Sequence, residues 1–187
     1  MRRVIRWVDP EGYLSVAVEH PRDGEFSALR GLEDPMRLLQ GESFPLGTRI
    51  VPVDEFSLEL EPGLTLLAPL DPPEVWCAEG TYDTADADPM ASSRFHDVYT
   101  AVSDNHRPRL FLKDAGGRRT VGPGHAIGIR GDSTWTVPEP EIGVVLGSKG
   151  SILGYTIAND LSSREIESAS PLYLSQAKVY AGCCAIG

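Results

Sequence analysis

Glycine and proline punctuate this chain so densely that long helices have little room. There are 19 glycines and 15 prolines among 187 residues. Both are turn residues that weaken helix and strand interiors, so the pattern predicts short strands joined by tight turns. The fold class read from it is α+β, mostly β, with a few short helices. Hydrophobic residues (41%) and charged residues (24%) are present at the levels of a globular protein with a buried core. The net charge of −10 argues against nucleic acid or an anionic membrane as partner. No run approaches the ~18 apolar residues of a membrane span. Arg6 and Asp9 interrupt the N-terminal segment where a signal peptide would need an apolar run. Cys77, Cys183 and Cys184 cannot form an even disulfide framework and read as reduced thiols of a cytoplasmic protein.

Val4 to Val8 and Tyr13 to Val18 read as a hairpin turned at Asp9-Pro10-Glu11-Gly12. Asp34 caps a short helix that opens at Pro35, runs through Leu39 and closes at Gly41. Strands are predicted near Ile50 to Val53 and Leu64 to Leu67. The stiff stretch from Pro69 to Pro73 marks a boundary, giving a small N-terminal domain over 1–70 and a second domain over 71–187. In the second domain, strands are predicted at Glu74 to Cys77, Leu110 to Leu112 and Ala126 to Arg130. A helix is predicted from Met90 to Ser103, with Phe95, Val98, Tyr99 and Val102 on one face. Thr134 to Leu146 and Ile152 to Ala158 form a predicted hairpin turned at Gly147 to Gly150, followed by a helix from Leu161 to Ser168.

The chemistry concentrates in Pro138-Glu139-Pro140-Glu141-Ile142. Residues i and i+2 of a strand share a face, so Glu139 and Glu141 present two carboxylates side by side. Their repulsion calls for compensation, which a hard divalent cation with oxygen ligands supplies; a solvent-facing strand edge fits the spacing as well. Pairing across the turn puts Ile142 roughly opposite Tyr155, so Asp160 overshoots Glu139 by a couple of residues and can join the pair. Asp160 fits a helix N-cap equally, with Ser162 and Glu165 as a competing capping box. Lys178 and Arg164 are surface cations by default; beside a carboxylate–metal centre they would bind an anionic substrate or move its proton. His20, His96, His106 and His125 are scattered without ligand spacing, and neither a dinucleotide fingerprint, a P-loop nor a nucleophile elbow occurs.

Glu139-Pro140-Glu141 followed about eighteen residues later by Asn159-Asp160-Leu161-Ser162-Ser163-Arg164 resembles the fumarylacetoacetate hydrolase superfamily, whose pattern is ExE and then NDxSxR. The resemblance spans about residues 70–187 and takes in Ser133 to Glu141 and Pro171 to Cys184. It implies a β-rich roll that usually dimerises, so a homo-oligomer is expected. Family members run on well past the position of Gly187, so the roll is expected to be incomplete at the C-terminus. It implies that Glu139, Glu141 and Asp160 bind Mg²⁺ (or Mn²⁺ or Ca²⁺), that Lys178 lines the pocket, and that Arg164 is the motif arginine. The implied substrate is a small 2-oxo acid that chelates the ion, forming an enolate that expels a group further along.

Hydrolases of the family carry a His and a Glu in a lid helix. Ala85, within Gly80 to Asp88, stands where that His would be. This favours a lyase that dehydrates a 2-keto-3-deoxy sugar acid, although Arg109 stands where the dehydrating branch carries an acidic residue. The alternatives are an acylpyruvate-type hydrolase or oxaloacetate decarboxylase of the same superfamily, or a non-catalytic truncated remnant.

Overall fold

The structure, a computed structural model, describes residues 2–20, 25–50, 62–79 and 107–187. The helix expected over 90–103, residues 51–53 of an expected strand, Ala85 with its neighbours, His96 and His106 lie outside the described residues. The first part is an antiparallel sheet in the order β4-β3-β2-β1-β5. Its strands are β1 (Val4–Val8), β2 (Leu14–Glu19), β3 (Phe26–Leu29), β4 (Leu46–Ile50) and β5 (Thr65–Leu66). Alternation along β1 and β2 gives the sheet two apolar faces. Ile5, Trp7, Ala17 and Phe26 pack on one, and Val16, Leu29 and Leu32 on the other. Each fully buried side chain of this kind contributes about 1.5–3 kcal/mol. Leu38 of helix α1 (Pro35–Leu39) covers the second face. The cap is as expected, with Met36 N–H donating to Asp34 Oδ1 at 2.9 Å. Arg6 forks onto Asp71 at 2.6 and 2.7 Å, tying β1 to the segment that follows.

The second part centres on a long, bent hairpin. Strand β10 (Pro140–Leu146) pairs with β11 (Ile152–Asp160), and beyond a break at Pro138, β9 (Thr136–Val137) pairs with β12 (Ser162–Ser163). One register runs through both ladders: Pro140 opposes Asn159, Val137 opposes Ser162 and Thr136 opposes Ser163. Glu139 therefore stands directly opposite Asp160, whose N–H donates to the Glu139 carbonyl at 2.9 Å. This corrects the expected overshoot, because Ile142 faces Ile157 and not Tyr155. The turn takes in Ser151, which accepts from Gly147 N–H at 2.8 Å, and a bulge beside Leu146 leaves Leu153 out of register. Each adds one residue to the returning strand.

Strand β11 is flanked on its other side by β13 (Cys184–Ile186), which in turn pairs parallel with β8 (Thr120–Val121). Asp160, opposite Cys184, is thus enclosed on both sides. Strands β6 (Glu74–Glu79) and β7 (Arg109–Ala115) form a separate two-stranded sheet. Helix α2 spans Arg164–Ala169, and α3 spans Leu174–Lys178. The expected start of α2 at Leu161 moves to Arg164 because 162–163 are claimed by pairing with β9. The strand expected over Ala126 to Arg130 is a loop instead. Its Gly128 N–H donates to Gly182 at 2.9 Å, and a Cβ on Gly128 would fall 1.9 Å from the Ala181 carbonyl oxygen, so only glycine permits this approach. The outer face of β10 and β11 exposes Ile142, Val144, Leu146, Ile152, Tyr155 and Ile157. Among the described residues, no helix is long and apolar enough to cross a membrane.

Candidate metal centre

The inner face of the hairpin carries the acidic residues. Glu139 and Glu141 share it by strand alternation, and Asp160 joins them as the last residue of β11. One carboxylate oxygen from each lies within 4.8 Å of the others. Oxygens on opposite sides of an ion are separated by about twice the metal–oxygen distance, ~4.2 Å for Mg²⁺ and ~4.8 Å for Ca²⁺. The donor set is all oxygen, as a hard cation requires, so these residues fit a divalent ion.

Three cations surround the carboxylates. Lys178, with its side chain 3% exposed, donates from Nζ to Glu139 Oε2 (2.6 Å), Asp160 Oδ2 (3.0 Å) and Ser162 Oγ (2.8 Å). Burial opposes its charge, but Asp160 and Glu139 outweigh burial and hold its pKa above the usual lysine value. Arg164 spans two acids: Nη1 donates to Glu167 Oε2 at 2.6 Å and Nη2 pairs with Glu139 Oε1. Lys113, fully buried on β7, pairs with Asp160 Oδ1 and donates to the carbonyls of Leu161 (3.0 Å) and Lys178 (2.6 Å).

Glu141 differs from its neighbours. Among the described residues its side chain has no ion pair or hydrogen bond, whereas Glu139 and Asp160 each have two cationic partners. Burial, then the charges of Asp160 and Glu139, push its pKa above the ordinary glutamate value. The cluster is thus short of positive charge at the one carboxylate that the lysines and the arginine leave unmatched.

The five sequence-predicted site residues, Glu139, Glu141, Asp160, Arg164 and Lys178, come together here. The surface reading of Lys178 is overturned by its burial. The capping alternatives fall as well: Asp160 pairs with two lysines, Ser162 Oγ donates to the Asp160 carbonyl, and Glu165 accepts from Thr134. Sequence reasoning missed Lys113. Its signal was faint, a lysine two residues after Phe111 and so on the same buried strand face. Glu79, at the end of β6, was also missed. Burial raises its pKa, and it pairs with Arg109 at 3.4 Å. The scattered histidines contribute nothing to the site among the described residues.

No family model matches the chain. It is 40% identical over 197 aligned positions to 2-dehydro-3-deoxy-D-arabinonate dehydratase of Saccharolobus solfataricus, covering all of this chain and 64% of that protein. It is 53% identical over 119 positions to a probable 2-keto-3-deoxyxylonate dehydratase of Haloferax volcanii, covering 64% of this chain and 40% of the relative. A solved structure of 2-keto-3-deoxy-D-arabinonate dehydratase, complexed with magnesium and 2,5-dioxopentanoate, superposes with a TM-score of 0.75 at 38% identity, covering all of this chain and 64% of that one. The chain therefore spans less than two thirds of the length of these relatives. The resemblance to the fumarylacetoacetate hydrolase superfamily is borne out, and the similarity in sequence and fold to 2-keto-3-deoxy-D-arabinonate dehydratase extends it over the whole chain.

Proposed function

We propose that the chain carries the active site of a Mg²⁺-dependent hydro-lyase that dehydrates a 2-keto-3-deoxy sugar acid, with Glu139, Glu141 and Asp160 as the ligands. The observation that carries the metal reading is Glu141, a half-buried carboxylate aimed at two others with no cation of its own. The names of the similar proteins, and the magnesium and dioxo acid in one solved relative, support the reaction class. Bound at the three carboxylates, the ion would polarise the 2-oxo group and make the hydrogens on carbon 3 acidic.

The chain's own residues supply the rest. Asp160 and Glu139 hold Lys178 as an ammonium, which suits it to bind the substrate carboxylate or donate a proton, not to act as a base at neutral pH. Arg164 braces Glu139 against Glu167 and keeps that ligand aimed inward. The fully buried Lys113 keeps water from the inner side of Asp160. The 71–187 segment forms the catalytic domain in this reading, and 1–70 a small domain beside it. The exposed apolar strip on β10 and β11 fits association into a homo-oligomer, and the free thiols fit a cytoplasmic setting.

The test is product analysis. The 187-residue chain is incubated with Mg²⁺ and 2-keto-3-deoxy-D-arabinonate, and separately with an acylpyruvate. Loss of water from the sugar acid is the expected result. Carbon–carbon cleavage of the acylpyruvate without dehydration would move the assignment to a hydrolase, and no turnover of either would contradict both.

A further inference from the structure

The position of Lys178 implies more than substrate binding. Its ammonium lies between Glu139 Oε2 at 2.6 Å and Asp160 Oδ2 at 3.0 Å, with Ser162 Oγ at 2.8 Å. Two of the three carboxylates proposed for the ion are therefore already engaged by a cation that belongs to the chain. The same two register partners, Glu139 and Asp160, would repel each other across the hairpin without it. Lys178 closes α3, and Lys113 donates to its carbonyl at 2.6 Å, so its backbone is anchored while its methylene stem remains the movable part.

We propose that Lys178 is a resident counter-ion that competes with the divalent cation for Glu139 and Asp160, so that ion loading and its two carboxylate pairs exclude each other. The inference rests on the metal reading above and adds a direction to it. In the ion-free site Lys178 holds the carboxylates together and keeps the hairpin end folded. With the ion in place, the two positive charges repel at close range, and the ammonium turns toward the pocket, where an anionic substrate can meet it. A lysine held off the ligand oxygens would act on the bare ion only through repulsion that water and salt screen. A lysine whose only role is to hold the ligands in place would support binding of the bare ion.

The experiment is a calorimetric titration with Mg²⁺ alone, without substrate, on the wild-type chain, Lys178→Met and Lys178→Gln. Thermal melts with and without Mg²⁺ accompany each titration. Both variants are expected to bind Mg²⁺ about tenfold more tightly than the wild type and to gain more in melting temperature from it. Lys178→Gln keeps an uncharged N–H donor of nearly the same reach, and so keeps the comparison open where Met prevents folding. Equal or weaker Mg²⁺ binding in the folded variants overturns the competition while leaving the metal centre standing. Failure of the wild type itself to bind Mg²⁺ removes the metal reading and this inference together.

Discussion

Glu139 and Asp160 face each other across the hairpin and share one ammonium, that of Lys178, at 2.6 and 3.0 Å. Like charges directly opposite in a ladder are destabilising, so this end of the sheet holds only because cations reach it from outside the hairpin. Lys178 arrives from α3, Arg164 from α2 and Lys113 from β7. The site is thus also a tertiary junction, and its chemistry and folding are coupled.

Lys113 is the deepest member of that junction. Replacing it with Met removes the partner of Asp160 Oδ1 and releases the carbonyls of Leu161 and Lys178. Asp160 keeps Lys178 at 3.0 Å, so the loss is of one of two buried partners, about 1–3 kcal/mol. Lys113→Met is expected to lower the urea midpoint accordingly, and an unchanged midpoint would show that Asp160 does not depend on it.

Asp114, the next residue, is 1% exposed and performs a structural task. It accepts hydrogen bonds from the N–H groups of Ala115 (2.7 Å), Arg119 (3.0 Å) and Thr120 (2.9 Å), and from the Thr120 hydroxyl (2.6 Å). Burial alone would raise its pKa, but these bonds outweigh burial and depress it. A depressed carboxylate stabilises the fold above its unfolded pKa, ~3.9, and that stability is lost as pH falls through the lower folded value. Asp114→Asn is expected to cost about 1.5–3 kcal/mol at neutral pH. In an acid unfolding series the difference from wild type should shrink below pH ~4; a constant gap would place the effect elsewhere.

Strand periodicity sets Glu139 and Glu141 on one face and allows Asp160 to join them, while their reading as a ligand set comes from the resemblance to the fumarylacetoacetate hydrolase superfamily. Their register was not legible in the sequence, because the bulge at Leu153 and the inclusion of Ser151 in the turn arise from local packing that no residue pattern announces. The segment Leu161-Ser162-Ser163 carries capping chemistry suited to a helix start, yet pairing with Thr136 and Val137 claims it. Lys113 and Lys178 resemble ordinary surface lysines in sequence. Only the meeting of β7, α3 and the hairpin end buries them. The strand expected at Ala126 to Arg130 failed because Gly128 is held by its close approach to Ala181 and Gly182, a long-range contact.

Charge balance predicts an order of binding. Four acidic side chains, Glu139, Glu141, Asp160 and Glu167, outnumber the three basic ones, Lys113, Lys178 and Arg164, by one. A divalent ion reverses that balance, and only then does the site attract an anion. Pyruvate, as a minimal 2-oxo acid, is expected to bind in the presence of Mg²⁺ and to give no calorimetric signal without it. Equal binding in both conditions would show that the anion site is built from the lysines and arginine alone.

The most direct measurement is Mg²⁺ titration of wild type, Glu139→Gln, Glu141→Gln and Asp160→Asn by calorimetry, with folding of each confirmed by circular dichroism. Each variant removes one charged oxygen of the proposed ligand set and should weaken Mg²⁺ binding by about tenfold or more, with Glu141→Gln the cleanest because that side chain carries no ion pair whose loss would disturb the fold. Wild-type Mg²⁺ affinity in all three folded variants would contradict the metal centre.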